Sequence, residues 1–339
     1  MAGIGFTLKR VISRGDVTSF ALGSLGGVFI VAGPSILSMV SLWLVTGPLA
    51  SAQPGSMGPF TAALIYTLMG STILSAGLQY TFTRSVADSL HRGQEGQAVG
   101  ALLKLLAWLA PLSFALGALV AWLLVMFPGS TAMLESITVG ILASSTTCLW
   151  ILVLFSSMLH RYLRVLVLYA FGMAAAVLLS GPLAKAMGSA GLALAFAGAY
   201  LVIDIGLLVF ILAERKPLTP VGFDPPRKMA QRYPALLLYG FAYQGALWAD
   251  KIITWFSRGR QEPGSSLFLA PQVDSVAYLA SLSLVPGLVF FIVSSETEYF
   301  AALRRFLNAL AKQPYRVIRS TMHELQVRAK SAVARLATF

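Results

Sequence analysis

Apolar residues run along this chain in long blocks, each ended by a short connection that is charged or rich in Gly and Pro. Eight blocks are long enough to cross a hydrocarbon core of about 30 Å as helices: 19–46, 60–84, 101–126, 133–158, 164–184, 189–213, 235–256 and 276–297. A membrane barrel would show alternating segments of roughly 10 residues instead, and none appear. Hydrocarbon forces each backbone donor and acceptor to pair within its own segment, so long apolar blocks mean helices. The pattern predicts an all-α, polytopic helical membrane protein with about eight transmembrane helices.

Basic residues are unevenly shared among the connections. Lys9, Arg10 and Arg14 precede the first block, Arg84 and Arg92 follow the second, and Arg161 and Arg164 follow the fourth. Arg215, Lys216, Arg227, Lys228 and Arg232 follow the sixth, and Arg304, Arg305, Lys312, Arg316, Arg319, Arg328, Lys330 and Arg335 follow the eighth. The alternate connections hold only Lys185 after the fifth block and Arg258 and Arg260 after the seventh. Lys and Arg concentrate on the cytoplasmic side, so both termini are expected there, as an even helix count also requires. The organisation then reads as a cytoplasmic N-terminus (1–18), six helices (19–213), a charged linker with Pro217, Pro220, Pro225 and Pro226 (214–234), two further helices (235–298) and a basic tail (299–339). In the tail Tyr299, Phe300, Leu303, Phe306, Leu307 and Leu310 recur at helical spacing, opposite Arg304, Arg305, Asn308 and Lys312. Such a helix suits the inner leaflet or a partner protein.

Composition agrees with the pattern. The 339 residues are 57% hydrophobic and 11% charged, against roughly 25% charged in soluble domains. The net charge of +12 would suggest nucleic acid in a soluble protein; here the basic residues orient the chain in a membrane, and no nucleic-acid partner is expected. The single cysteine, Cys148, excludes a disulfide framework within the chain. The first block is too long for the apolar region of a secretory signal, about 7–15 residues, so it is read as a retained helix.

Several segments together carry a resemblance. They are Met1-Ala2-Gly3-Ile4-Gly5-Phe6, Thr83-Arg84 with Ala87-Asp88, Ala249-Asp250-Lys251-Ile252-Ile253-Thr254-Trp255-Phe256, and Tyr278-Leu279-Ala280 leading through Pro286-Gly287 to Ser295-Glu296-Thr297-Glu298-Tyr299-Phe300. With these the chain resembles the PelG family of Pel polysaccharide transporters. The resemblance implies a fold like the MOP flippase superfamily, two six-helix bundles around a central cavity with alternating access. It implies a bacterial inner-membrane subunit that exports a biofilm exopolysaccharide, working with a Pel-type synthase complex that includes a cytoplasmic glycosyltransferase and other inner-membrane subunits. Members of the family continue to about twelve helices, so a chain with one whole bundle and a third of the other is expected to be C-terminally truncated.

The chemistry-bearing residues are few. Gln244, Trp248, Lys251 and Trp255 are spaced by four, three and four and share one face of the seventh helix; Tyr239, Tyr243 and Asp250 fall on a neighbouring face. Aromatic rings beside hydrogen-bonding groups suit sugars, which offer apolar C–H faces and polar edges. Gln244, Trp248, Asp250, Lys251 and Tyr243 are therefore candidates for a substrate cavity. The alternative sets Asp250 and Lys251 near the outer interface, with Trp248 and Trp255 as belt anchors. Asp204, between Ile203 and Ile205, lies mid-segment in the sixth block; a carboxyl there must face other helices or water, which makes it a cavity candidate and a proton-coupling one. Glu296, Glu298 and Arg84 are candidates for a cytoplasmic gate, since alternating access needs contacts that break. Gly33-Pro34 and Pro286-Gly287 interrupt the first and eighth blocks. The three histidines lie far apart in sequence, and no hydrolase, nucleotide-loop or glycosyltransferase pattern occurs, so neither a metal, a cofactor nor catalysis is expected. Two other readings stand beside export: a non-transporting scaffold that recruits a glycosyltransferase, and a small-molecule or lipid antiporter of the same superfamily.

Overall fold

The structure is a computed structural model that describes residues 33–48, 54–91, 93, 95–124, 132–159, 162–213, 226–261, 267–283, 287 and 299–337. Helices dominate: α1 (33–48), α2 (Pro54–His91), α3 (Glu95–Leu124), α4 (Ala132–Met158), α5 (Tyr162–Ala213), α6 (Pro226–Arg232), α7 (Pro234–Arg258), α8 (Pro271–Ser283), α9 (Phe300–Lys312) and α10 (Tyr315–Ala337). Two short antiparallel strands, β1 (Arg260–Gln261) and β2 (Phe268–Leu269), pair Arg260 with Leu269 and Gln261 with Phe268. The expectation of helices alone missed this hairpin, because two-residue strands carry no periodic signal.

Four of these helices are long and apolar enough to cross a membrane: Gly55–Ser89, Gly96–Leu123, Met133–Met158 and Leu163–Ala213. The second to sixth predicted blocks overlap them. Helix α7 covers the seventh block, with a polar face that makes it less apolar than those four. Of the first block the part before 33 lies outside the described residues, Gly33 and Pro34 stand at the start of the described helix, and the eighth is described only through Ser283 and at Gly287. The helices outrun their apolar blocks. At 38 residues α2 is about 57 Å long, because hydropathy marks the bilayer and polar flanks at either end remain good helix formers.

Helix α5 is two spans joined without a loop. Gly188 adopts φ 61°, ψ −133° inside it, a conformation open almost only to glycine. The chain reverses there, so 162–187 and 189–213 match the fifth and sixth blocks and the helix breaks between them as the sequence pattern requires.

The chain divides into two compact units. In Leu37–Asp274, α4 packs on α2, α3 and α5; α2 also touches α3, α5 and α7; and α6 rests on α2 and α3. The core holds Phe60, Phe82, Leu102, Phe155 and Phe196, all essentially inaccessible. Many buried hydroxyls donate back along their own helices, as Ser113 does to the Leu109 carbonyl and Thr147 to that of Ala143, which satisfies them within an apolar interior. Other bonds cross between helices, as where Trp150 Nε1 donates to Ser71 Oγ at 3.2 Å and Ser144 Oγ to the Ala110 carbonyl at 3.0 Å. Outward, Trp43, Leu163, Phe171, Leu178 and Ile205 are each at least 60% exposed, far more apolar surface than a soluble monomer offers. Lipid is its natural cover.

The other unit comprises Met1–Ile36 and Ser275–Phe339. Its clearest feature is a helical hairpin. The amphipathic stretch breaks at Gln313 and Pro314 into α9 and α10, which pack together with Ala302 and Ala309 buried and Arg305 paired to Glu324 at 3.1 Å.

Candidate functional site

Helix α7 is seated on α2 at both of its ends. At its start Tyr233 donates its hydroxyl to Asp88 Oδ2 at 2.7 Å, and Arg84 pairs with the other carboxylate oxygen at 3.3 Å. About two turns in, Gly240 meets Gly77 with no room for a Cβ on either. Such small-residue crossings let membrane helices approach closely. The face of α7 that starts with Gly240 continues through Gln244, Trp248, Lys251 and Trp255, and all of these are buried or half-buried.

Trp248 donates its indole N–H to Thr72 Oγ1 on α2 at 3.0 Å. The Lys251 ammonium stands 5.5 Å from the Trp248 ring centroid and 3.7 Å from Asp250 Oδ1, which also accepts the Lys251 backbone N–H at 2.8 Å. Further along, Trp255 is 1% exposed; its indole N–H points between both Asp274 oxygens, 3.0 Å from each. Tyr66 stacks on Trp255 with centroids 4.9 Å apart and donates its hydroxyl to the Phe268 carbonyl. The hairpin and the start of α8 thus close this end of the helices around Trp255, beside Leu267, Leu269 and Ala270. The opposite side of α7 is apolar and outward, with Leu238, Ile253 and Phe256.

The structure brings Trp248, Lys251 and Asp250 together, with Gln244 one turn away on the same half-buried face. Tyr243 stands apart on the exposed side, stacked on Tyr239 at 6.0 Å, whose ring meets Tyr80 edge-on at 5.3 Å. Trp255 is buried and bonded to Asp274. Asp204 belongs to a different neighbourhood, the packed core of α4 and α5, within electrostatic reach of Cys148 and Tyr169. It is buried, and its Oδ1 has no hydrogen-bond partner. Glu296 and Glu298 lie outside the described residues; Arg84, the third gate candidate, pairs with Asp88 on its own helix.

Four contributors escaped the sequence reading. Thr72, Tyr66 and Asp274 are ordinary residues until folding sets them against α7. Glu135 carried a signal: it is a charge inside an apolar block, the rule that singled out Asp204, but its position near the block's end resembles a solvated terminus. Instead its Oε1 accepts from Ser189 Oγ at 2.8 Å, next to the Gly188 break, while Glu135 Oε2 and Ser136 Oγ are buried without partners. Among the described residues no three His, Cys, Asp or Glu side chains gather as a metal site.

Against known proteins, the model of PelG, an exopolysaccharide exporter family (EPS-E), matches residues 1–339. Among solved structures the chain is similar to a MOP superfamily transporter from Pyrococcus furiosus, for which a reverse polarity of the binding pocket is described as suggesting a different function. The TM-score is 0.59 at 14% identity, covering 98% of this chain and 71% of that one. At that identity the likeness concerns the fold. No match is found among curated proteins.

Proposed function

The chain belongs to the PelG family of exopolysaccharide exporters, and from that membership we propose that the inner face of α7 lines the path by which the polymer crosses the bilayer. The protein is an all-α, multi-pass membrane protein with a MOP-transporter fold, from a family of exporters rather than of enzymes. In this reading Trp248 offers its ring to the apolar face of a sugar. Gln244 and Lys251 bond the hydroxyl edge, and Asp250 holds the Lys251 ammonium in position. Tyr243, stacked on Tyr239 on the exposed side of the helix, stands outside this path. Asp204 acts in the core of the six-helix bundle as the carboxyl that couples transport to an ion, most simply a proton.

The observation that carries the reading is the orientation of α7. Gln244, Trp248, Lys251 and Trp255 turn inward, with Trp248 fixed by Thr72 on α2, while Leu238, Ile253 and Phe256 turn outward. A helix built only to anchor the chain would have no use for Lys251 there, since a charge within the bilayer costs about 2.5–3.5 kcal/mol on insertion scales. The basic connections support an inner-membrane location with both termini cytoplasmic, and that side would receive polymer from a synthase complex with a cytoplasmic glycosyltransferase.

The test is secretion. Cells producing Trp248→Ala, Trp248→Phe and Thr72→Val at equal membrane levels are assayed for exported polymer. Loss in Trp248→Ala with retention in Trp248→Phe is expected; normal secretion by Trp248→Ala would remove α7 from the path.

A further inference from the structure

We propose that the α9–α10 hairpin is a membrane-surface element that binds anionic phospholipid headgroups of the bilayer the chain spans. Residues 299–339 hold eight Lys and Arg and a single acid, Glu324, hence a net +7 of the chain's +12. Helices α9 and α10 pack together, and Ala302 and Ala309 are the small residues of the buried edge of α9. That docking leaves larger apolar side chains uncovered: Leu307 and Leu310 at 52% exposure each, Tyr315 at 75% and Met322 at 47%.

The charges flank this apolar surface. Arg304 precedes Leu307 by three residues and Arg319 precedes Met322 by three, so each exposed Arg sits one turn from an exposed apolar side chain on adjoining strips of its helix. Apolar residues that enter the acyl boundary, bordered by cations at phosphate depth, are the physical signature of a helix lying in a membrane interface. Eight cations against a single acid favour an anionic lipid surface, which attracts each Lys or Arg close to it. Helix α9 begins three residues after the last apolar block (276–297), so the hairpin is tethered beside the bilayer and its effective concentration there is high. The inference does not depend on the role given to α7.

The test uses the full chain in a Cys148→Ala background, spin-labelled at Leu307→Cys, Met322→Cys or Ser320→Cys. The protein is reconstituted in vesicles of phosphatidylcholine alone and of phosphatidylcholine with phosphatidylglycerol. In the phosphatidylglycerol vesicles the labels at 307 and 322 are expected to lose access to an aqueous nickel chelate and gain access to oxygen, while 320 stays aqueous. Charge reversal by R316E with R319E should return 307 and 322 to water. Hydrogen exchange of the unsubstituted chain reads the same surface without labels, as slowed amides across 300–312 in the anionic vesicles only. Aqueous labels in both vesicle types would overturn the proposal, as would equal protection in both. Protection that appears only when a membrane-protein extract is added would overturn it in favour of a protein partner.

Discussion

Gly77 and Gly240 face each other across the α2–α7 crossing: a Cβ on Gly240 would lie 2.7 Å from the Gly77 Cα, and a Cβ on Gly77 would lie 2.7 Å from the Leu237 carbonyl oxygen. Backbone stands on both sides, so neither helix can yield by a rotamer change. The crossing sets the depth at which α7 presents Trp248 to Thr72.

Gly240→Ala is therefore expected to lower stability by about 1–3 kcal/mol, the usual cost of overpacking. It should also weaken export, because α7 must move off α2. Gly70 lies on the same helix α2 with nothing within 4 Å of a built Cβ, so Gly70→Ala should be neutral. Thermal unfolding in detergent compares the two; equal midpoints would mean the helices are not in contact at Gly240.

The bond from Trp255 to Asp274 ties α7 to the start of α8. Trp255→Phe keeps an aromatic ring for Tyr66 but removes the N–H that the carboxylate accepts. A hydrogen bond to a charged group contributes about 1.5–3 kcal/mol, and a destabilisation of that size is expected. In an Asp274→Ala background the same change should cost less. A double-mutant cycle of unfolding midpoints measures the coupling, and a coupling near zero would discount the contact.

At Gly188 the backbone itself sets the requirement. Gly188→Ala forces a side chain into a region where it is strained, at a cost of about 1–3 kcal/mol. Gly181, earlier in α5, has free space around it, and Gly181→Ala should leave stability unchanged or raise it. Protease resistance of the purified protein distinguishes the two variants.

Lys251 and Asp204 separate function from stability. Methionine keeps most of the Lys251 stem beside Trp248, and the contact with Asp250 that it gives up is long, at 3.7 Å. Lys251→Met should thus leave the unfolding midpoint near its original value while reducing secreted polymer. Asp204→Asn keeps the shape of a buried group whose Oδ1 already lacks a partner, so stability is expected to hold while export falls. Full export by either variant, at matched membrane levels, would remove that residue from the transport pathway.

The helices were legible because each apolar block is a local property: a run of about 20 residues suffices to cross a bilayer whatever surrounds it. The same locality explains the shared face of Gln244, Trp248 and Lys251, since spacing along one helix fixes which side chains align. The break between the fifth and sixth blocks was legible too, although its form, a reversal at one residue, was not. Asp204 stood out by the same rule, as a charge with no polar neighbour. Glu135 did not, because its hydrogen bond comes from Ser189, 54 residues away.

From the sequence alone came the membrane class, most of the spans, the basic asymmetry of the connections and the amphipathic tail, all of them consequences of composition over a few helical turns. Only the tertiary structure decided that α7 rests on α2 through Gly77 and Gly240, that Thr72 holds Trp248, and that Asp274 holds Trp255 while Tyr243 stays outside. Those choices depend on pairs such as Trp248 and Thr72, 176 residues apart. Side chains that distant meet only after helices pack, and packing depends on the shapes and hydrogen-bond partners of two surfaces at once, which no single run of residues contains.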